Sequence, residues 1–129
     1  MRAVLLAVPL AAACATEPMP PAVAPTLSGS TWMLERLGDA APPVPVSLSF
    51  VDGRLSGEGP CNRYFGGYTQ TGAALEIGAV AATRRACPHL DVESRFFAAL
   101  TDAAAAEVAG DALVVRDAAG AERMRFRRA

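Results

Sequence analysis

The chain has 129 residues, with 12 basic and 13 acidic side chains and a formal net charge of −1. Every basic residue is Arg, and the balance excludes nucleic-acid binding by bulk charge. A 52% hydrophobic content and a mean hydropathy of +0.25 exclude a disordered acidic chain, and three Cys leave at least one outside any intramolecular pair.

Arg2 is the only charge before Glu17, and Ala3 to Ala13 is an unbroken apolar run. The run is too short to span a bilayer, which needs about 20 residues. A basic start, a short apolar core and small residues before a cut site describe an export signal over residues 1–13. The segment Leu10-Ala11-Ala12-Ala13-Cys14 resembles a bacterial lipobox, where small residues precede a Cys that becomes lipid-modified. Its large aliphatic residue is Leu10, one position further out than usual, so plain cleavage after Ala13 is the alternative. Lipid attachment at Cys14 gives the odd cysteine a purpose. Residues 14–29 carry Pro18, Pro20, Pro21 and Pro25 among Ala, Thr and Ser. Pro neither continues a helix nor donates to a ladder, so this stretch reads as an extended tether.

A domain is expected over residues 30–128. Thr31 to Leu37 reads as its opening strand. Val46-Ser47-Leu48-Ser49-Phe50 alternates apolar and polar with period two, the mark of a half-buried strand. Asp52-Gly53 follows and predicts a type I′ hairpin leading into Arg54 to Gly57, because both central positions of that turn need positive φ. Gly57, Gly59, Gly66 and Gly67 then read as sharp bends and close backbone approaches. Leu75 to Val80 reads as a middle strand. A helix is predicted from Pro88, capped by Asp91, through Ala105. It points Phe96, Phe97, Leu100 and Ala104 inward, with Glu93 and Arg95 on the other side. Glu107 to Ala109, Leu113 to Arg116 and Arg123 to Arg127 form a closing meander, with Met124 and Phe126 on one face. The expected fold is α+β and mostly β: a small antiparallel sheet or cracked barrel of about seven to eight strands packed with one α-helix.

The stretch Gly57-Glu58-Gly59-Pro60-Cys61-Asn62-Arg63-Tyr64-Phe65-Gly66-Gly67-Tyr68 is followed by Thr83-Arg84-Arg85-Ala86-Cys87-Pro88 and Glu93. With Trp32-Met33-Leu34 near the front, this pattern resembles the META domain family, also called HslJ-like. Trp32, Gly57, Asn62, Gly66, Tyr68, Thr83, Pro88 and Glu93 fall on the family motif. Pro60 departs from it, since a Gly or small residue is commoner before the Cys. The resemblance implies a small β-rich domain with one helix, a bacterial envelope location, links to stress and drug tolerance, and no enzyme activity.

Read for chemistry, the residues offer little. In an exported domain Cys61 and Cys87 form a disulfide or remain two thiols. His89, the only His, could activate a Cys87 thiolate or complete a metal set with both Cys, but no third orienting group stands near except Asp91. Asn62 suits a Gly-rich turn by tolerating left-handed backbone and bonding its own backbone. Arg63, Arg84 and Arg85 could form an anion patch, and a phosphate loop lacks both Lys and strand–loop–helix order. Tyr64 and Tyr68 would suit the rim of a barrel mouth.

The expected function is that of a non-enzymatic envelope lipoprotein, facing the periplasm from the outer membrane, acting as a binding or stress-related structural module. The alternatives are a carrier of a small apolar ligand or lipid in a barrel cavity, and a soluble exported protein. No cofactor, metal or nucleic acid is expected. The partners are the membrane, through the anchor, and an envelope protein, with the chain itself monomeric.

Overall fold

Alternation of apolar and polar residues is the organising feature of the chain. The computed structural model describes Ala3 and residues 26–129. The expected leader, Cys14 and the tether as far as residue 25 lie outside those residues. The tether's last residues belong to the packed unit: Leu27 is wholly buried.

The strands are β1 (Ser30–Leu37), β2 (Ser47–Val51), β3 (Arg54–Glu58), β4 (Arg63–Thr71), β5 (Ala74–Ile77), β6 (Ala81–Ala82), β7 (Ala103–Ala109), β8 (Ala112–Asp117) and β9 (Glu122–Arg128); α1 is Leu90–Thr101. All pairings are antiparallel, in the order β3-β2-β1-β9-β8-β7-β5-β4, and β3 pairs with β4 to close an eight-stranded barrel. The short β6 lies along β4, opposite Tyr64 and Phe65. The expected barrel is therefore present. Its thin seam is β5–β7, where Ala74 opposite Ala105 is the single register pair.

Inward residues follow the period-two pattern. Leu48 and Phe50 of β2, Leu55 of β3 and Met124 and Phe126 of β9 are buried. Asp52 and Gly53 have φ of 47° and 80°, as the type I′ turn requires. In β1, Trp32 and Leu34 point inward, and a bulge between Leu34 and Arg36 shifts the alternation so that Leu37 does too.

Three expectations are corrected. The Gly-rich stretch bends only at residues 60–62; Gly57 lies in β3, and Gly66 and Gly67 lie within β4, the longest strand. None of Gly57, Gly59, Gly66 and Gly67 has positive φ. The expected close approach holds for three of them: a Cβ on Gly66 would lie 3.0 Å from the Ala79 carbonyl oxygen, one on Gly59 3.0 Å from the Asn62 carbonyl oxygen, and one on Gly57 would overlap the Ser47 carbonyl. Second, the helix begins at Leu90 and ends at Thr101, and its N-cap is His89 with no side-chain cap bond, not Asp91. Ala103 to Ala105 join β7, where pairing with β8 and burial of Ala103 and Ala106 outweigh the helix propensity of Ala. Third, the middle strand ends at Ile77 and not Val80; the Gly78 N–H to the Gly67 carbonyl, at 2.9 Å, is the last rung of its ladder with β4.

The helix buries Phe96, Ala99 and Leu100 against the barrel. Phe96 meets Tyr64 edge-on at 5.3 Å. Among the described residues no helix is long and apolar enough to cross a membrane.

Gly57→Ala tests the close approach of β2 and β3. The new methyl would press on the Ser47 backbone and on the Tyr64 hydroxyl that donates to it. Overpacking of this kind costs about 1–3 kcal/mol. Thermal unfolding should show a Tm lowered by roughly 5–15 °C for a domain of this size; an unchanged Tm would refute the tight approach.

Candidate functional site

Where α1 begins, the side chains of Asn62 and Glu93 are the only buried polar or charged residues among those described. Glu93 Oε1 accepts the backbone N–H groups of Cys61 (3.1 Å) and Asn62 (2.7 Å), and Oε2 accepts Asn62 Nδ2 (2.7 Å). Asn62 Oδ1 accepts the Thr83 hydroxyl (3.0 Å) and the Arg85 N–H, and Nδ2 also donates to the Arg85 carbonyl (3.3 Å). The Thr83 hydroxyl in turn accepts the Arg63 N–H at 3.2 Å. One amide and one carboxylate thus join the start of β4, the segment 83–85 and the first turn of α1. Burying a charge is tolerated only with such a set of donors.

Sequence reasoning placed both residues differently. Glu93 does not lie on the polar side of the helix; it faces inward with Phe96 and Leu100. The spacing i, i+3, i+7 already carries that signal. Asn62 is not in left-handed backbone, and its side chain bonds distant segments instead of its own backbone.

A disulfide joins Cys61 and Cys87 at a Cα separation of 5.8 Å, beside the same junction. The thiolate and metal-set alternatives lose their sulfurs to it. The His89 backbone N–H, rather than its ring, reaches Cys87 Sγ, at 3.3 Å. Among the described residues no three His, Cys, Asp or Glu side chains converge to hold a metal.

Of the remaining motif residues, Thr83 joins this cluster, while the others serve the barrel. Trp32 is buried in β1, donates its indole N–H to Ser30 Oγ at 2.7 Å and is covered by Arg128 at 4.5 Å. Tyr68 is half-buried and meets Phe50 edge-on at 4.9 Å. Pro88 is exposed just before α1. Tyr64 is no rim residue: it is 1% exposed, it donates to the Ser47 carbonyl, and burial pushes its phenol pKa up.

Two open grooves lie on the outside of this region. A polar one of about 430 Å³ runs between Glu58, Cys61, Arg63, Thr83 and Arg85. A larger one of about 790 Å³ lies on the outer face of β3, β4 and β6, lined by Val51, Arg54, Phe65, Gly67, Ala79 and Ala81. Phe65 is 57% exposed and Val51 56%, two of the three large exposed hydrophobics among the described residues. Sequence reasoning missed Phe65, although alternation along β4 sends Tyr64 in and Phe65 out.

The META domain description matches residues 25–129. The chain belongs to the META domain family. A Burkholderia xenovorans protein solved by NMR is 26% identical, with a TM-score of 0.68 over 87% of this chain and 96% of that one. A second NMR structure, 21% identical, gives 0.63 over 78% and 90%. A crystal structure of a DUF4847 family protein from Bacteroides vulgatus, 16% identical, gives 0.55 over 64% and 57%. The last two share the fold alone. No curated protein matches the chain. No enzymatic family is indicated for this META domain.

Two measurements test the junction. In Glu93→Gln the new amide N–H would face Asn62 Nδ2, and flipping Asn62 moves the conflict onto the Arg85 N–H. Losing a charged acceptor and leaving donors unmet should cost about 2–3 kcal/mol, read from the denaturation midpoint; a change below about 0.5 kcal/mol would show the carboxylate is dispensable. Non-reducing peptide mapping should recover Cys61 and Cys87 as one linked pair. Replacing both by Ser should cost roughly 3–4 kcal/mol by loop entropy.

Proposed function

We propose that this META domain protein is an exported, lipid-anchored envelope protein whose barrel serves as a binding module and not as an enzyme. The observation that carries this reading is the outer face around Phe65. A large aromatic held in water on a sheet of Gly, Ala and Ser marks a contact surface. The residues also favour binding over turnover. Every hydrogen-bonding position of Asn62 is used internally, and both domain cysteines are tied to each other.

The carrier reading has less support. Trp32, Phe50, Tyr64, Phe96 and Phe126 fill the space inside the strands where a ligand would lie. The anchor reading rests on the Leu10 to Cys14 segment and the proline-rich stretch behind it. A disulfide in the domain is consistent with an oxidising compartment.

Membrane fractionation with intact-mass analysis tests the anchor. A mature chain beginning at a lipid-modified Cys14 is expected in the membrane fraction, and Cys14→Ser should release it to the soluble one. An unmodified chain beginning at Cys14 would end the lipoprotein reading and leave the soluble exported one.

A further inference from the structure

We propose that the outer face of β3, β4 and β6 lies on an anionic phospholipid surface, with Phe65 and Val51 entering the headgroup layer and Arg54, Arg63 and Arg85 meeting lipid phosphates. This names the partner of the face described above and rests on the lipid-anchored reading. The composition of the face comes first. Phe65 and Val51 project from a floor of Gly67, Ala79 and Ala81, so no neighbouring side chain shields them from a flat surface. Apolar residues ringed by cations are what an interfacial site requires.

The charge is complementary. Arg54 stands opposite Gly67 and beside the groove, and Arg63 and Arg85 line the adjoining polar one. Among the described residues no acidic side chain lies within ion-pair distance of Arg54 or Arg85. The single ion pair of Arg63, to Glu58 at 3.7 Å, joins side chains that are 79% and 72% exposed, so it holds Arg63 weakly. The opposite wall differs. On β9, Arg125 is held by Glu122 at 2.7 Å and Arg123 by Asp102 at 2.9 Å, while Arg127 is exposed and in none of the ion pairs of the described residues; no large hydrophobic residue is exposed there, so the exposed Phe65 and Val51 are what set the proposed face apart.

The chain also enters the domain on this side. The Leu27 N–H donates to Gln70 Oε1 at 3.2 Å, the Asp52 N–H to Ser28 Oγ at 3.0 Å, and the Gly29 N–H to the Phe50 carbonyl at 2.7 Å. Residues 27–29 are thereby fixed beside the Val51–Gly53 turn, which is one end of the larger groove. From Cys14 to Leu27 the chain reaches at most about 45 Å. An anchor on this lead keeps the domain close to the bilayer, with this edge of the barrel at the end of the lead. It also raises the local lipid concentration enough for a weak face to be occupied.

The test uses the mature chain, residues 14–129, carrying Cys14→Ser, so that the face is read without the anchor. Co-sedimentation with phosphatidylglycerol–phosphatidylethanolamine vesicles should show binding that falls with added salt, and phosphatidylcholine vesicles should bind little. Neutralising Arg54, Arg63 and Arg85 together, each to Gln, should weaken binding about 100-fold, at about fivefold for each cation removed. Phe65→Ala should weaken it several-fold, and Arg127→Glu, on the far wall, should leave it unchanged. In Phe65→Trp, emission should shift to the blue on adding the anionic vesicles. No binding to those vesicles at low salt, no shift at Trp, or an equal loss in Arg127→Glu would overturn the proposal and leave the face to a protein partner. Failure of lipidation appears separately, in the mass of Cys14.

Discussion

Glu93 is a carboxylate inside the protein whose partners are all neutral N–H groups. Its solvation therefore has to be built from backbone, and the chain around Cys61 and Asn62 is shaped to supply it. Two consecutive N–H groups converge on one oxygen, and the Gly59 N–H bonds the Asn62 carbonyl at 2.8 Å to tighten the bend. A Cβ on Gly59 would lie 3.0 Å from that same carboxylate oxygen. The glycine two residues before Cys61 is thus set by the carboxylate and not by any need for unusual φ. Because Glu93 is fixed, so is the first turn of α1. Phe96, three residues on, then falls against Tyr64, two residues beyond Asn62. The polar junction sets the register in which helix and barrel pack, and the disulfide closes the same junction from the other side.

Closure of the barrel has a consequence for where function can lie. Five large aromatic side chains, with aliphatic residues around them, occupy the interior. The β5–β7 seam has one register pair, and α1 packs against β5. An interior filled in this way leaves no space inside the strands for a ligand.

Much of the fold was legible because period-two alternation reports directly on which face is buried. The β2–β3 hairpin followed from Asp52-Gly53, and β9 from Met124 and Phe126 between arginines. Where the reading failed, a local signal competed with a non-local one. Gly66 and Gly67 look like turn residues, yet both lie in β4, and at Gly66 the Ala79 carbonyl approaches that strand too closely for a Cβ. The Ala103–Ala105 run looks helical, yet pairing with β8 claims it. Within the candidate site, Glu93 was legible from its spacing to Phe96 and Leu100, but its charge pointed the other way. The partners of Asn62 lie more than 20 residues distant, beyond the range of pattern.

The buried junction and the exposed face are physically one arrangement. Asn62 immediately precedes β4, and its bonds to Thr83, Arg85 and Glu93 fix where that strand begins. Side chains in a strand alternate, so a slip of one residue would exchange the two faces. Tyr64 would then turn outward and Phe65 would enter the core. The Arg63–Thr83 backbone bond at 3.0 Å carries the same register to the segment beyond β6, and Phe65 stands opposite Ala81 as a result. The outer face holds an aromatic on a floor of small residues only while this register is kept. The motif therefore acts through position: the buried carboxylate decides which aromatic faces the outside.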